Sequence, residues 1–202
     1  MQKIMFNKPY GLQHAVECGY KTMTRRPVGK RMTEDDIRAY LKGYTELANK
    51  CAQYKIGEVV AVAQSYKDAG IDPHFLMFQP VKGSNYFAEM EIEAMFTGGW
   101  NNKMFVRADL MPLKIQITDI KVERLQDISN EDCLKEGVFL DVTAPECYQP
   151  FYTFVNSKTK DNTPIGFENP QYAFQVLIDK LSGFGTWERN DWQFAYTFKL
   201  VK

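Results

Sequence analysis

The stretch K-I-Q-I-T-D-I-K-V-E-R-L, residues 114–125, alternates like a β-strand but carries one defect. Ile115 and Ile117 share a parity, whereas Ile120 and Val122 have the opposite one. Successive side chains in a strand point to opposite faces, so a change of parity would turn half of the apolar set away from the core. An extra residue near Thr118 and Asp119 restores it, and the pattern therefore predicts a β-bulge. Bulges bend strands and recur in barrels, so this segment favours a curled sheet over a flat one.

The neighbouring segments fit that frame. V-V-A-V-A, 59–63, is apolar on both faces and predicts a central, buried strand. A-E-M-E-I-E-A-M-F, 88–96, alternates strictly, with Glu89, Glu91 and Glu93 on one side. It predicts a half-exposed strand whose acidic face would repel nucleic acid. The C-terminal W-Q-F-A-Y-T-F-K-L-V, 192–201, puts Phe194, Tyr196, Phe198 and Leu200 on one apolar face. Residues 65–85, with Gly70, Pro73, Pro80 and Gly83, read as a long loop.

Helices fall between the strands. Residues 8–18 predict a short one, stopped by Gly19, with Leu12, Ala15, Val16 and Cys18 inward. T-E-D-D at Thr33 is a capping-box-like start, followed by Ile37, Tyr40, Leu41, Tyr44, Leu47 and Ala48 at helical spacing. S-N-E-D-C-L-K-E-G begins a capped helix at Ser129 and ends it at Gly137, and residues 171–181 predict another. Separated strands with short helices between them indicate an α+β class, with a small barrel or curled sheet rather than a βαβ succession. The 202 residues are read as a single domain, 1–202.

Composition excludes several functions. Lys+Arg and Asp+Glu both number 25, a balance unsuited to coating long nucleic acid through phosphates alone. Hydrophobic residues at 45% allow a substantial core. Cys18, Cys51, Cys133 and Cys147 are scattered, no C-x-x-C occurs, and the histidines are His14 and His74. This argues against a zinc site and against a Cys/His nucleophile pair. Asp141, Asp179 and Asp191 have no metal-ligand spacing, so neither metal nor cofactor is expected. No apolar run approaches a membrane span, and the N-terminus has no signal-like stretch. The expectation is a soluble, cytoplasmic protein with reduced thiols and no membrane partner.

The chemistry concentrates in G-Y-K-T-M-T-R-R-P, Gly19–Pro27. A lysine in a dry site loses its charge readily and can act as a base, and a threonine hydroxyl needs such a base to become a nucleophile. Lys21 and Thr24 are thus a sensible pair, but strict alternation would place them on opposite faces. They converge only if the segment turns. A solvated Lys21 with a β-forming Thr24 is the plainer alternative. Arg25 and Arg26 suit phosphate or carboxylate recognition. Glu136 is the other anomaly, a carboxylate in the last turn of its helix, where opposing the dipole costs about 0.3–1 kcal/mol. Trp187, Trp192, Tyr196 and Phe198 could stack a base, although core packing is the commoner fate of such residues.

G-Y-K-T-M-T-R-R-P resembles the G-[RK]-K-T-x-T-R-R signature of ASCH domains. Three further stretches agree in order: Y-K-I-G-E-V-V-A-V at 54–62, I-T-D-I-K-V-E-R-L-Q-D-I-S-N-E-D-C-L-K-E-G-V at 117–138, and F-G-T-W-E-R-N-D-W-Q-F-A-Y-T-F-K-L at 184–200. The second is similar to phage and prophage members in particular. The resemblance implies a PUA-like β-barrel with helices beside it, insertions at about 28–52 and 65–87, and a pocket for RNA or a modified nucleoside. Some small members are amidohydrolases acting on N4-acetylcytidine, and their catalytic positions fall on Lys21, Thr24 and Glu136. Arg26 matches the family's basic position, and Arg25, Thr22 and Gln64 complete the implied substrate-binding set. Gln64 stands where larger relatives often carry an acid, N-P-W has become N-D-W at Asn190–Trp192, and the insertions have no counterpart in the minimal enzymes. Two other readings stay open: a non-catalytic module that binds RNA or a modified base, and a phage accessory protein interacting through the 34–48 helix.

Overall fold

The computed structural model describes residues 1–71, 98–142, 150–159 and 161–201. The expected strand 88–96 and most of the expected loop 65–85 lie outside them. The chain divides into two compact units, one of Met1–Phe6, Val59–Ile115 and Val201–Lys202, the other of Asn7–Glu58 and Gln116–Leu200.

In the first unit, β1 (Lys3–Ile4) runs parallel to β3 (Val59–Val62), with Lys3 opposite Ala61 and Ile4 opposite Val62. The other side of β3 is engaged as well, since Val62 N–H donates to the Leu113 carbonyl at 2.9 Å. Val60, Ala61, Val62 and Ala63 are fully buried. That is the environment an apolar run without alternation requires. Ala61, Ala63, Tyr66, Val106 and Met111 form a small core around it. Gly99 cannot carry a side chain here, because a Cβ would lie 2.2 Å from Tyr66 Cε2.

The second unit contains most of β4 (Lys114–Arg124), together with β2 (Met23–Pro27) and nearly all of β7 (Trp192–Val201). β2 is antiparallel to β7, with Thr24 opposite Tyr196 and Arg25 opposite Ala195. The strands form one mixed sheet in the order β1-β3-β4-β7-β2. The class is α+β. Among the described residues the sheet stays open, with β1 and β2 at its ends, and no closed barrel is present.

β4 keeps both apolar parities inside. Ile115 and Ile117 are buried, Thr118 and Asp119 are both exposed, and Ile120 and Val122 are buried again. The burial pattern thus slips by one residue at the expected place while the strand stays continuous. β7 differs from the single apolar face expected. Gln193 and Ala195 are buried along with Phe194, Tyr196 and Phe198, because Ala195 pairs with Arg25 and shares the face on which Arg25 meets Glu136 and Phe174.

The helices follow their caps. α1 (Leu12–Glu17) buries Leu12 and Val16, and Gly19 takes a φ of 78° just beyond its end. Cys18, expected inside, is exposed. The expected single helix after Thr33 is two. α2 (Glu34–Leu41) starts in a reciprocal capping box between Thr33 and Asp36, and α3 (Glu46–Cys51) follows after Gly43, whose φ of 108° breaks the helix. The break resets the helical phase, so Leu41 and Tyr44 are exposed while Ile37 and Ala48 stay buried. α4 (Asn130–Lys135) is capped by Ser129, and α5 (Pro170–Ser182) by Asn169, whose side chain accepts from Tyr172 N–H at 2.9 Å. α6 (Thr186–Arg189) precedes β7, and β5 (Phe139–Asp141) pairs antiparallel with β6 (Phe151–Thr153).

Loss of the α2 cap is the simplest test of these boundaries. Thr33→Ala is expected to lower stability by about 1 kcal/mol in urea unfolding, with the slope unchanged.

Candidate functional site

Three backbone bonds fix Lys21 before β2 begins. Lys21 N–H donates to the Ala15 carbonyl at 2.9 Å, which ties it to α1. Thr22 N–H donates to the Lys135 carbonyl at 3.1 Å, and the Thr22 carbonyl accepts from Phe198 N–H at 2.9 Å. The segment therefore passes between the end of α4 and β7 before it becomes a strand at Met23. Lys21 is outside the strand, so its direction is not bound by strand alternation.

The residue is 2% exposed, and its side chain reaches the C-terminus of α4. Lys21 Nζ donates to Glu136 Oε2 at 2.6 Å and to the Glu136 backbone carbonyl at 2.7 Å. One ammonium thus meets both the carboxylate and a carbonyl left without a partner at the helix end. Arg25 NH1 donates to the other carboxylate oxygen, Oε1, at 3.0 Å. The carboxylate that opposes its own helix dipole is held by two buried cations.

Arg25 extends the array. Its NH2 donates to Glu123 Oε1 on β4 and lies 3.7 Å from Asp132 Oδ2 on α4. Its guanidinium sits 5.9 Å from the centre of the Phe174 ring on α5. Lys135 Nζ donates to Asp132 Oδ1 at 3.0 Å. Three cations (Lys21, Arg25, Lys135) meet three carboxylates (Glu123, Asp132, Glu136), so these charges balance.

Burial sets the proton affinities. Desolvation of the ammonium pulls the Lys21 pKa below its ordinary 10.5; Glu136 opposes the fall, and Arg26 and Arg25 add to it. Desolvation also works against the Arg25 cation, but Glu136 and Glu123 outweigh it and hold its pKa above the ordinary value. Burial pushes the Cys133 thiol up to about 12, with Arg25 pulling the other way.

The geometry brings together Lys21, Arg25 and Glu136 but leaves out Thr24. Met23 and Arg25 share a face of β2, where Arg25 NH1 also contacts Met23 Sδ at 3.4 Å. Thr24, opposite Tyr196, belongs to the other face by alternation. Thr24 is itself buried. Arg26 shares the parity of Thr24 and is half-buried, as is Thr22. Gln64 is buried in the first unit, where its N–H contacts Met111 Sδ at 3.4 Å. Glu123 and Asp132 were not foreseen. Arg25, expected to bind a ligand, is committed to carboxylates of the chain itself.

Gly137 locks Glu136 in place. Its φ is +112°, and a Cβ there would lie 2.6 Å from Leu12 Cδ2, so α1 packs directly onto the turn that presents the carboxylate. Cys18, just past the end of α1, has its Sγ 3.5 Å from His14 Nε2. Both residues face solvent, which screens their interaction. Trp192, a candidate base-stacking residue, is covered by the Arg124 guanidinium 4.5 Å from its ring centre. Among the described residues no group of three or more His, Cys, Asp or Glu could hold a metal ion, and no helix is long and apolar enough to cross a membrane.

No protein-family model, no curated protein and no solved structure matches this chain.

Two outcomes follow from the network. Glu136→Gln leaves Lys21 without its carboxylate and is expected to cost roughly 3–5 kcal/mol. Lys21→Met is expected to cost less, because Glu136 keeps Arg25. The loss in Glu136→Gln should shrink as pH rises. The unfolded lysine holds its proton up to about 10.5, whereas the folded one releases it earlier, so stability climbs between those two points. Denaturant melts across pH measure both effects. The second outcome concerns Cys133. Its thiol keeps its proton to about 12, so at pH 8–9 iodoacetamide is expected to label exposed Cys18 and spare Cys133 until the protein unfolds, as read by peptide mass mapping.

Proposed function

We propose that this is an ASCH-like protein of PUA-like fold that hydrolyses an amide on a modified nucleoside of the N4-acetylcytidine type. The observation that carries this reading is the 2.6 Å contact between Lys21 Nζ and Glu136 Oε2, both buried, with the lysine pKa lowered by its burial. A buried lysine whose proton affinity is lowered, held against a carboxylate, is suited to proton transfer. The resemblance of the Gly19–Pro27 segment to the ASCH signature supports the same assignment.

In this mechanism neutral Lys21 accepts a proton from a water attacking the acyl carbon. A tetrahedral intermediate forms, the C–N bond breaks, and the proton passes through Glu136 or Lys21 to the departing amine. The products are a carboxylate, the free exocyclic amine of the base, and the acid's proton, which is released to solvent. Arg25 keeps Glu136 Oε1 occupied, so Oε2 alone works with Lys21. Water is the nucleophile here because Thr24 lies on the other face of β2.

A second reading has its own support. The charges of the network are balanced within the chain and Thr24 stands apart, which suits a non-catalytic module that binds RNA or a modified base.

The test is incubation with N4-acetylcytidine and with short acetylated RNA, followed by mass analysis. The expected result is deacetylation, read as loss of the acetyl mass, that falls about 10²-fold or more in Lys21→Met and Glu136→Gln proteins shown to be folded. The rate should rise with pH through a midpoint below the ordinary lysine value. Activity retained in Lys21→Met overturns the mechanism. No turnover, with RNA binding weakened in Arg26→Ala, selects the binding module.

A further inference from the structure

The carboxylate of Glu123 takes no direct part in the Lys21–Glu136 contact, yet it is joined to it through one side chain. Arg25 spans from Glu123 on β4 to Glu136 at the end of α4, using NH2 for the first and NH1 for the second. A guanidinium is a planar, rigid fork, so fixing one end fixes the direction of the other. Asp132, 3.7 Å from the same NH2, flanks this grip and is itself held by Lys135. Phe174 closes one side of the guanidinium. Both carboxylate oxygens of Glu136 are thereby assigned, Oε1 to Arg25 and Oε2 to Lys21.

We infer that Glu123 is a positioning residue, which acts through Arg25 to orient the Glu136 carboxylate and to set the charge that Lys21 experiences. The catalytic meaning of this role rests on the proposed hydrolysis, but the role itself is testable without a substrate. The charged groups that act on Lys21 include Glu136 at the end of α4 and Arg25 and Arg26 from β2. Those facing Arg25 are Glu136, Glu123, Asp132 and the Cys133 thiol. Arg25 lowers the proton affinity of Lys21, and Glu123 offsets part of the Arg25 charge. Removing the Glu123 charge leaves that cation less compensated, so Lys21 should lose its proton more easily. The Glu123 side chain is 21% exposed, whereas Lys21 and Arg25 are each 1%, so a substitution here disturbs the packing least.

The experiment follows the Lys21 side chain by NMR of lysine-labelled protein through a pH titration, with assignment from Lys21→Met. Glu123→Gln is expected to move the Lys21 midpoint to lower pH, Glu123→Asp to keep it near wild type, and Asp119→Asn, an exposed change on the same strand, to leave it alone. If Glu123→Gln does not fold, Glu123→Met removes the same charge at similar volume. An unchanged midpoint in folded Glu123→Gln or Glu123→Met, even with a lower Tm, overturns the inference and leaves Glu123 a purely structural partner. Where deacetylation is measurable, Glu123→Gln should lower kcat by roughly tenfold with KM little changed and shift the pH profile the same way. A shifted midpoint in a protein without hydrolytic activity upholds the inference and sinks the proposed reaction instead.

Discussion

The carboxylate of Glu136 and the two cations that grip it are the constraint on which the second unit depends. A glutamate at a helix C-terminus is unfavourable, and a buried lysine or arginine without a counter-charge is far more so. Each makes the others tolerable. The grip also decides where the elements lie. Lys21 comes from the segment after α1, Arg25 from β2, Glu123 from β4 and Asp132 from α4, so one network fastens four pieces of chain. Gly137 allows the turn after Glu136 to approach Leu12 closely enough for this to happen.

Such a network is an uncertain source of stability. Desolvation of buried ions can consume the whole Coulombic gain, and apolar replacements of similar volume are often as stable. Its physical value lies elsewhere. It keeps a lysine buried, with its proton affinity lowered, within 2.6 Å of a carboxylate whose second oxygen is already occupied. An apolar core of equal stability could not exchange a proton. That difference separates a site from a mere packing solution, and it is why the functional reading centres on Lys21 and Glu136 rather than on the more exposed cations.

Much of the fold was legible because it rests on periodicities and caps. The parity slip in β4, the two-sided burial of β3, the Thr33 capping box and the glycine after α1 all express local rules that do not need a partner. What failed was whatever depended on a neighbour. The run from Ile37 to Ala48 kept helical spacing, but Gly43 broke the helix and reset its phase. β7 reads as one-sided because Gln193 and Ala195 carry little apolar signal, and the packing on the face they share with Arg25 is what buries them. Cys18 was placed inside by spacing, although α1 is too short to carry its apolar face that far.

The site divides in the same way. By itself the sequence marked Lys21, Thr24, Arg25 and Glu136 as chemically unusual, since residue type, the G-Y-K-T-M-T-R-R-P segment and an ill-placed carboxylate are all one-dimensional facts. It also showed that Lys21 and Thr24 needed an irregular backbone to converge. Tertiary structure alone decided the partners. Lys21 stands before the strand and turns to Glu136, 115 residues away in sequence, while Thr24 stays on the opposite face of β2. Arg25 was assigned to carboxylates rather than to a ligand, and Glu123 and Asp132 entered the site unannounced. The reason is physical: a charge's preference for burial depends on what surrounds it after the chain has folded, and no local pattern carries that information.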